Sequence, residues 1–256
     1  MINEYRNGSG AVGAGTKMAR DEYIEFVITE KTSAASLAAL TFGDSNDATS
    51  MLQGVFRFDQ ATLELALTNA SLTEFLPGTF LVVKGNNLGA QSLTYAPTSG
   101  DWGIELVAGQ GARDHSETLI NGNISIGNNG DVVWISSDSP PTRNSDTSSL
   151  IHAIGHDNNP GLIANTVAGL FGAENILRST VATGRSISNV GGSTESLQSS
   201  TTGTMGTDNG GTNSTWISGL RVIGLTTVPE PGRMALLFIG ITALSFRRHR
   251  KGGRHV

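Results

Sequence analysis

The residues best suited to acid–base or metal chemistry form one short cluster, His152-Ala-Ile-Gly-His156-Asp157. On a helix, two histidines four residues apart share a face and can reach one metal ion. Residues 150–154 are predicted as a strand, however, where the same offset separates the side chains by roughly 13 Å. Only a bend at Gly155 would bring the imidazoles together. We therefore expect a polar strand end whose histidines are hydrogen-bonded and whose substitution leaves stability almost unchanged, with a metal site as the alternative.

Several acidic positions offer the oxygen ligands that Ca²⁺ prefers. Asp21, Glu22 and Glu25 lie in one segment that could pair with Asn3 and Glu4, and residues 44–47 and 208–213 form Asx-rich loops. None of these segments has the spacing of an EF-hand with its closing Glu. Because Asx side chains commonly bond to their own turn backbone, calcium binding stands as an alternative to a structural role, and we expect no other cofactor.

The sequence contains no assembled nucleophile. There is no cysteine, hence no thiol nucleophile, disulfide or Cys-bound metal. Asp114-His115-Ser116 has the residue types of a hydrolase triad, but adjacent side chains diverge and cannot converge on one atom. We therefore predict a non-catalytic protein. The alternative is a secreted hydrolase or phosphodiesterase, which would need His152, His156 and Asp157 brought together.

Frequent turn residues, including 33 glycines and seven prolines, divide the chain into short apolar runs and predict an all-β fold. The strand candidates are residues 22–29, 63–67, 79–84, 104–108, 123–126, 131–136 and 150–154. Strict alternation in these runs assigns one set of side chains to a single core, namely Ile24, Phe26, Ile28, Leu81, Val83 and Val133. A strand with one apolar face and one mixed face, such as residues 22–29, is typical of a sheet in a β-sandwich.

The connections are less regular. Asn128-Asn129-Gly130 predicts a hairpin joining residues 123–126 to the strand at 131–136. Residues 162–171 are the only stretch with weak helical spacing. A Ser/Thr/Gly-rich segment at about 186–215 predicts a long surface loop or a partly disordered segment, closed by a last strand at Trp216-Ile217. We assign residues 1–225 to one domain.

The charge of the chain is unevenly distributed. Five of the 17 Lys and Arg residues follow Phe246, so the preceding residues carry 12 basic side chains against 22 acidic ones. A surface this acidic repels phosphate backbones. Nucleic acid is therefore not expected as a partner.

Three elements follow each other at the C-terminus. Pro229-Glu230-Pro231 lies in a linker (residues 226–233), an apolar run covers 234–246, and a basic tail (247–256) contains Arg247, Arg248, Arg250 and Lys251. As a helix the apolar run reaches about 20 Å, short of the roughly 30 Å hydrocarbon core. It is a marginal membrane span, and its basic tail is expected in the cytoplasm.

This order of motif, apolar run and basic stop resembles the PEP-CTERM sorting signal of exported bacterial proteins, which the membrane-embedded exosortase recognises. The resemblance implies export to the cell surface or extracellular matrix of a Gram-negative-type bacterium, with transient or lasting membrane attachment. It implies exopolysaccharide, biofilm matrix or another surface protein as the partner. Since residues 1–30 contain no signal peptide, we expect one upstream of Met1.

A second resemblance involves the strands. Ile2-Asn3-Glu4, the run Glu22–Phe26, Pro77-Gly78 before an apolar strand, and Gly130-Asp131 before another occur in the order typical of the lamin-tail domain. His152 departs from that pattern, in which the position is usually Asp. The resemblance implies an immunoglobulin-like β-sandwich acting as a binding or packaging module.

Overall fold

The computed structural model describes residues 1–8, 17–19, 21–46, 52–114, 123–128, 130–137, 149–157, 175–193 and 196–226. The described strands in chain order are β1 (Ile2–Arg6), β2 (Tyr23–Val27), β3 (Leu40–Asn46), β4 (Leu52–Phe58), β5 (Phe80–Lys84), β6 (Gly103–Val107), β7 (Ala112–Asp114), β8 (Gly130–Ser137), β9 (Leu150–Asp157), β10 (Ile176–Leu177), β11 (Ser186–Asn189) and β12 (Leu197–Ser200).

These strands form two six-stranded sheets. The first has the order β12-β11-β1-β2-β5-β6 and the second the order β10-β9-β8-β3-β4-β7. Neighbouring strands are antiparallel except for the parallel pairs β5–β6 and β9–β10. The predicted predominance of β-structure is therefore confirmed.

The two sheets share one apolar core. All six side chains assigned to it by alternation lie there, buried at 0–6% exposure. Phe26 of the first sheet packs edge-on against Phe42 and Phe58 of the second, with ring centroids 5.2 and 5.6 Å away. Edge-to-face aromatic pairs add to the stabilisation from area burial. The core prediction is confirmed.

Residues 63–67 are helical, so the strand predicted there is wrong. They belong to α2 (Gln60–Ala70), which follows the short helix α1 (Ala34–Ala38). The side chain of Asp59 caps α2 by accepting a hydrogen bond from the Thr62 N–H at 3.1 Å. Leu63 and Leu67, four residues apart, are buried on one face, whereas Leu65 is 52% exposed.

The hairpin predicted at residues 128–130 is also wrong. Strand β8 pairs with β3 and β9, and residues 123–126 contribute only an isolated bridge between Ile124 and Met18. Strand β9 extends to Asp157 through Gly155, which pairs with Val132 instead of bending. Both edges of β8 are therefore occupied, one by β3 and the other by β9.

The long surface loop predicted at about residues 186–215 is wrong, because this segment contains the buried strand β11, the strand β12 and the start of a helix, α3 (Gly211–Thr226). The last strand predicted at Trp216-Ile217 is therefore wrong, because both residues are helical. Ile217 is fully buried against Val27 and Phe80 on the outer face of the first sheet. The helical stretch expected at residues 162–171 lies outside the described residues.

Candidate functional site

The two histidines of strand β9 lie inside the sandwich. Nδ1 of His152 accepts a hydrogen bond from the Ile2 N–H at 3.3 Å. Nε2 of His156 lies 2.9 Å from the Gly127 carbonyl oxygen, which can only accept, so this nitrogen carries the proton. Nδ1 therefore accepts from the Tyr5 hydroxyl at 2.8 Å. His156 links strand β1 of the first sheet to the second sheet.

Burial fixes the charge state of His156. The imidazole is fully buried, and this desolvation lowers its pKa to about 4. The expected satisfied polar strand end is confirmed for His156, which lies next to the end of β9 with both ring nitrogens hydrogen-bonded. It is buried and neutral, and it connects the two sheets. Asp157 follows it on an extended strand and projects to the other face. Among the described residues, no group of three or more His, Cys, Asp or Glu side chains is placed to hold a metal ion.

The calcium candidates separate into two clusters. A register shift in the β1–β2 ladder lies between Ile2 and Glu4. Because of this shift, the consecutive residues Asn3 and Glu4 both form hydrogen bonds on the outer side of the first sheet, which is the side away from the shared core. Glu25 lies on the same side. Asn3 Nδ2 donates to Glu25 Oε1 at 2.7 Å, and the Thr204 N–H and hydroxyl donate to Glu4.

This first cluster fastens the 203–213 segment to the sheet. Asn213 Nδ2 donates to Asn3 Oδ1 at 2.8 Å, and the Gly206 N–H donates to Glu25 Oε2. Burial, together with the nearby Glu4 carboxylate, raises the pKa of Glu25 well above its ordinary value. The carboxylate oxygens accept hydrogen bonds from N–H and O–H donors of the protein itself, so the described role of this cluster is to hold the 203–213 segment on the sheet.

The second cluster joins Glu22 and Asp44 with Asp131, which was not among the calcium candidates predicted from the sequence. Three successive main-chain N–H groups donate to them: Ser125 to Asp44, Ile126 to Glu22 and Gly127 to Asp131, at 2.8–2.9 Å. Burial raises the pKa of Glu22 to about 8 and also raises those of Asp44 and Asp131. The loop expected at residues 44–47 is wrong for residues 44–46, which lie in β3. Asp44 in β3 and Asn213 in α3 both have a structural role, through the hydrogen bonds of the two clusters.

An open groove of about 430 Å³ lies where the edge strand β6 meets residues 205–208 and helix α3. Its lining includes three carboxylates, two threonine hydroxyls and one guanidinium, from Asp101, Glu105, Asp208, Thr94, Thr207 and Arg221. The volume falls in the range typical of small-ligand sites. These residues are scattered over 128 positions, so no local motif could have indicated them.

Arg221 is fixed in place by the sheet below it. Its Nε–H donates to the Gly78 carbonyl oxygen at 3.1 Å, and its guanidinium carbon lies 5.1 and 5.0 Å from the ring centroids of Phe80 and Trp102. These distances are within cation–π range. Glycine at position 78 allows Arg221 to lie this close, because a Cβ there would be 2.5 Å from Arg221 Cγ. The φ of Gly78, +84°, also favours glycine.

The remaining sequence candidates lie outside the described residues. These are His115, Ser116, the motif Pro229-Glu230-Pro231, and the basic residues Arg247, Arg248, Arg250 and Lys251. The apolar run 234–246 is also outside. Within the described ranges no helix is long and apolar enough to cross a membrane.

Comparison with known proteins adds no relative: no family model, curated protein or solved structure matches this chain. The functional interpretation therefore rests on the chain's own residues.

Proposed function

We propose that this chain is an exported, non-catalytic surface module, an immunoglobulin-like β-sandwich of lamin-tail type that exosortase sorts by its C-terminal signal. The observation that carries the proposal is the order of Pro229-Glu230-Pro231, the apolar run 234–246 and the basic tail. The motif begins three residues after the end of α3 at Thr226. Its partners would be exosortase and the membrane, followed by exopolysaccharide or another surface protein.

The chemistry of the buried groups supports a binding or structural role over catalysis. A general base must be within reach of its substrate. His156 is instead fully buried between Tyr5 and Gly127, and Glu25 is buried under the 203–213 segment. Their shifted pKa values are explained by burial at contacts that hold the sandwich together.

The end of helix α3 supports placement near a membrane. Val222, Ile223 and Leu225 are 62, 60 and 38% exposed, and they lie within the last five residues of the helix. Clustered exposed apolar side chains are typical of interaction surfaces. Here they precede the apolar run by about ten residues, as expected of a segment close to the bilayer during sorting.

The test is to replace Pro229, Glu230 and Pro231 by alanine in the full chain and to fractionate the native host. We expect the wild-type protein at the cell surface or in the matrix and the variant retained in the membrane fraction. The matched control replaces Gly252 and Gly253 by alanine, which leaves the motif and all basic residues in place. Equal surface release of the triple variant and the wild type would contradict the proposal.

A further inference from the structure

We propose that the groove between β6 and α3 is a binding site for a neutral polysaccharide segment. This inference rests on the proposed surface function, whose partner it specifies. A sugar chain presents hydroxyl groups that both donate and accept, so its site must offer fixed acceptors and fixed donors side by side. The groove has both.

The acceptors are carboxylates held by their own neighbours. Asp101 accepts hydrogen bonds from the Gly103 N–H at 3.3 Å and the Thr94 hydroxyl at 3.0 Å. Asp208 accepts one from the Gly210 N–H at 3.1 Å. A carboxylate has about four lone-pair positions, so each still has acceptor capacity for a sugar hydroxyl. Preorganised groups lose little conformational entropy on binding.

The donors come from Arg221. An arginine has five N–H donors in a planar fork, and the Nε–H is its only hydrogen-bond donor used among the described residues. The two aromatic rings and the Gly78 carbonyl hold the guanidinium at the groove, so the Nη donors are available without reorganisation. Paired sugar hydroxyls match this fork.

The charge of the groove selects the class of saccharide. Its lining contains the carboxylates of Asp101, Glu105 and Asp208 against the single cation Arg221, and Glu105 forms an ion pair with Lys84. The net charge is therefore negative. Uronate or sulfate groups would be repelled, whereas uncharged hydroxyls can bond to carboxylates and guanidinium alike.

The test titrates the full chain with labelled neutral hexasaccharides of glucose, mannose and galactose, a galacturonate hexasaccharide and a hexalysine peptide. At least one neutral hexasaccharide should bind, with NMR shift changes at residues 101–105 and 205–208. Arg221→Gln and Asp208→Asn should each weaken binding at least tenfold. Asp208→Asn keeps the Oδ1 acceptor for Gly210, so its melting temperature should match the wild type. The control is Arg185→Gln, which removes the same charge from the protein. Arg185 lines a separate groove beside β12.

The proposal is overturned if no neutral hexasaccharide binds, if Arg185→Gln weakens binding as much as Arg221→Gln, or if only the galacturonate or the hexalysine binds. The last result would identify an anion site or a basic-peptide site. Failure here is separable from failure of the proposed function, because Arg221→Gln should still reach the cell surface in the fractionation assay. Binding in vitro without surface sorting would contradict the sorting proposal alone.

Discussion

Glu22 directly precedes β2 of the first sheet and Asp44 lies in β3 of the second, yet they accept hydrogen bonds from adjacent main-chain groups. The Ile126 N–H donates to Glu22 Oε1 and the Ser125 N–H to Asp44 Oδ2, each at 2.9 Å. Residues 125–126 therefore connect the start of β2 to β3 through buried carboxyl groups. Because the ionised forms are desolvated, this connection makes stability depend on pH.

We expect the free energy of unfolding to fall as the pH rises from 6.5 to 8.5. The pKa of Glu22 is raised from 4.5 to about 8, so its stabilising contribution is complete below 4.5 and is lost as the pH rises through 8. The lowered pKa of His156 makes stability change with pH in the opposite direction, but only between pH 6.5 and about 4. The loss from Glu22 over this window is about 1–2 kcal/mol.

Urea unfolding at a series of pH values checks this prediction in the wild type and in Glu22→Gln, which should show a flatter dependence. Glu30→Gln is the control, because Glu30 is exposed. A wild-type free energy of unfolding that stays level or rises between pH 6.5 and 8.5 would show that ionising these buried carboxyl groups does not destabilise the fold.

His156→Ala should destabilise the protein by about 1–3 kcal/mol, because it leaves the Tyr5 hydroxyl and the Gly127 carbonyl without their partner. This replaces the expectation from sequence that the histidines are dispensable for stability. Ile151→Thr, at a 45% exposed position of the same strand, should change stability by less than about 0.5 kcal/mol. Denaturant unfolding compares them, and equal stability of both variants would refute the bridging role.

Phe26→Ala should lower the free energy of unfolding by about 3–5 kcal/mol, since the ring is 3% exposed and contacts two aromatic rings of the facing sheet. Leu65→Ala removes a comparable apolar side chain at a half-exposed position of α2 and should cost far less. Chemical denaturation measures both. Similar losses for the two variants would place Phe26 outside the core.

Phe26 also shows what the sequence could predict. Alternation in a run of eight residues identified its face correctly, because strand periodicity is local. The same reasoning failed at residues 63–67, whose alternation is too short to exclude a helix. The missed signal was Asp59, an N-cap residue three positions before Thr62.

Helix α3 could not be predicted locally. Its Gly, Ser and Thr residues are weak helix formers, and it is held by tertiary contacts of Asn213, Ile217 and Arg221 with the first sheet. The groove depends on the same contacts. Asp101, Asp208 and Arg221 meet only after β6 and α3 have packed, so the site is a product of the fold.

Gly78→Ala should therefore weaken the packing of α3 on the first sheet, an effect beyond the backbone strain that alanine causes at a positive φ. The new Cβ would clash with Arg221 Cγ at 2.5 Å. Gly100→Ala is a close control, because Gly100 has a similar φ of +89° and its Cβ would meet nothing within 4 Å. Hydrogen exchange should be faster in residues 211–226 of Gly78→Ala only. Equal exchange in the two variants would mean that α3 does not depend on this contact.

The central claim, sorting at the C-terminal motif, is tested most directly by mass spectrometry of the protein recovered from the cell surface of its native host. We predict a mature chain that ends near Pro229 to Pro231 and lacks the tail from Arg247 onward. Surface protein that retains an intact Arg247–Val256 segment would contradict the claim.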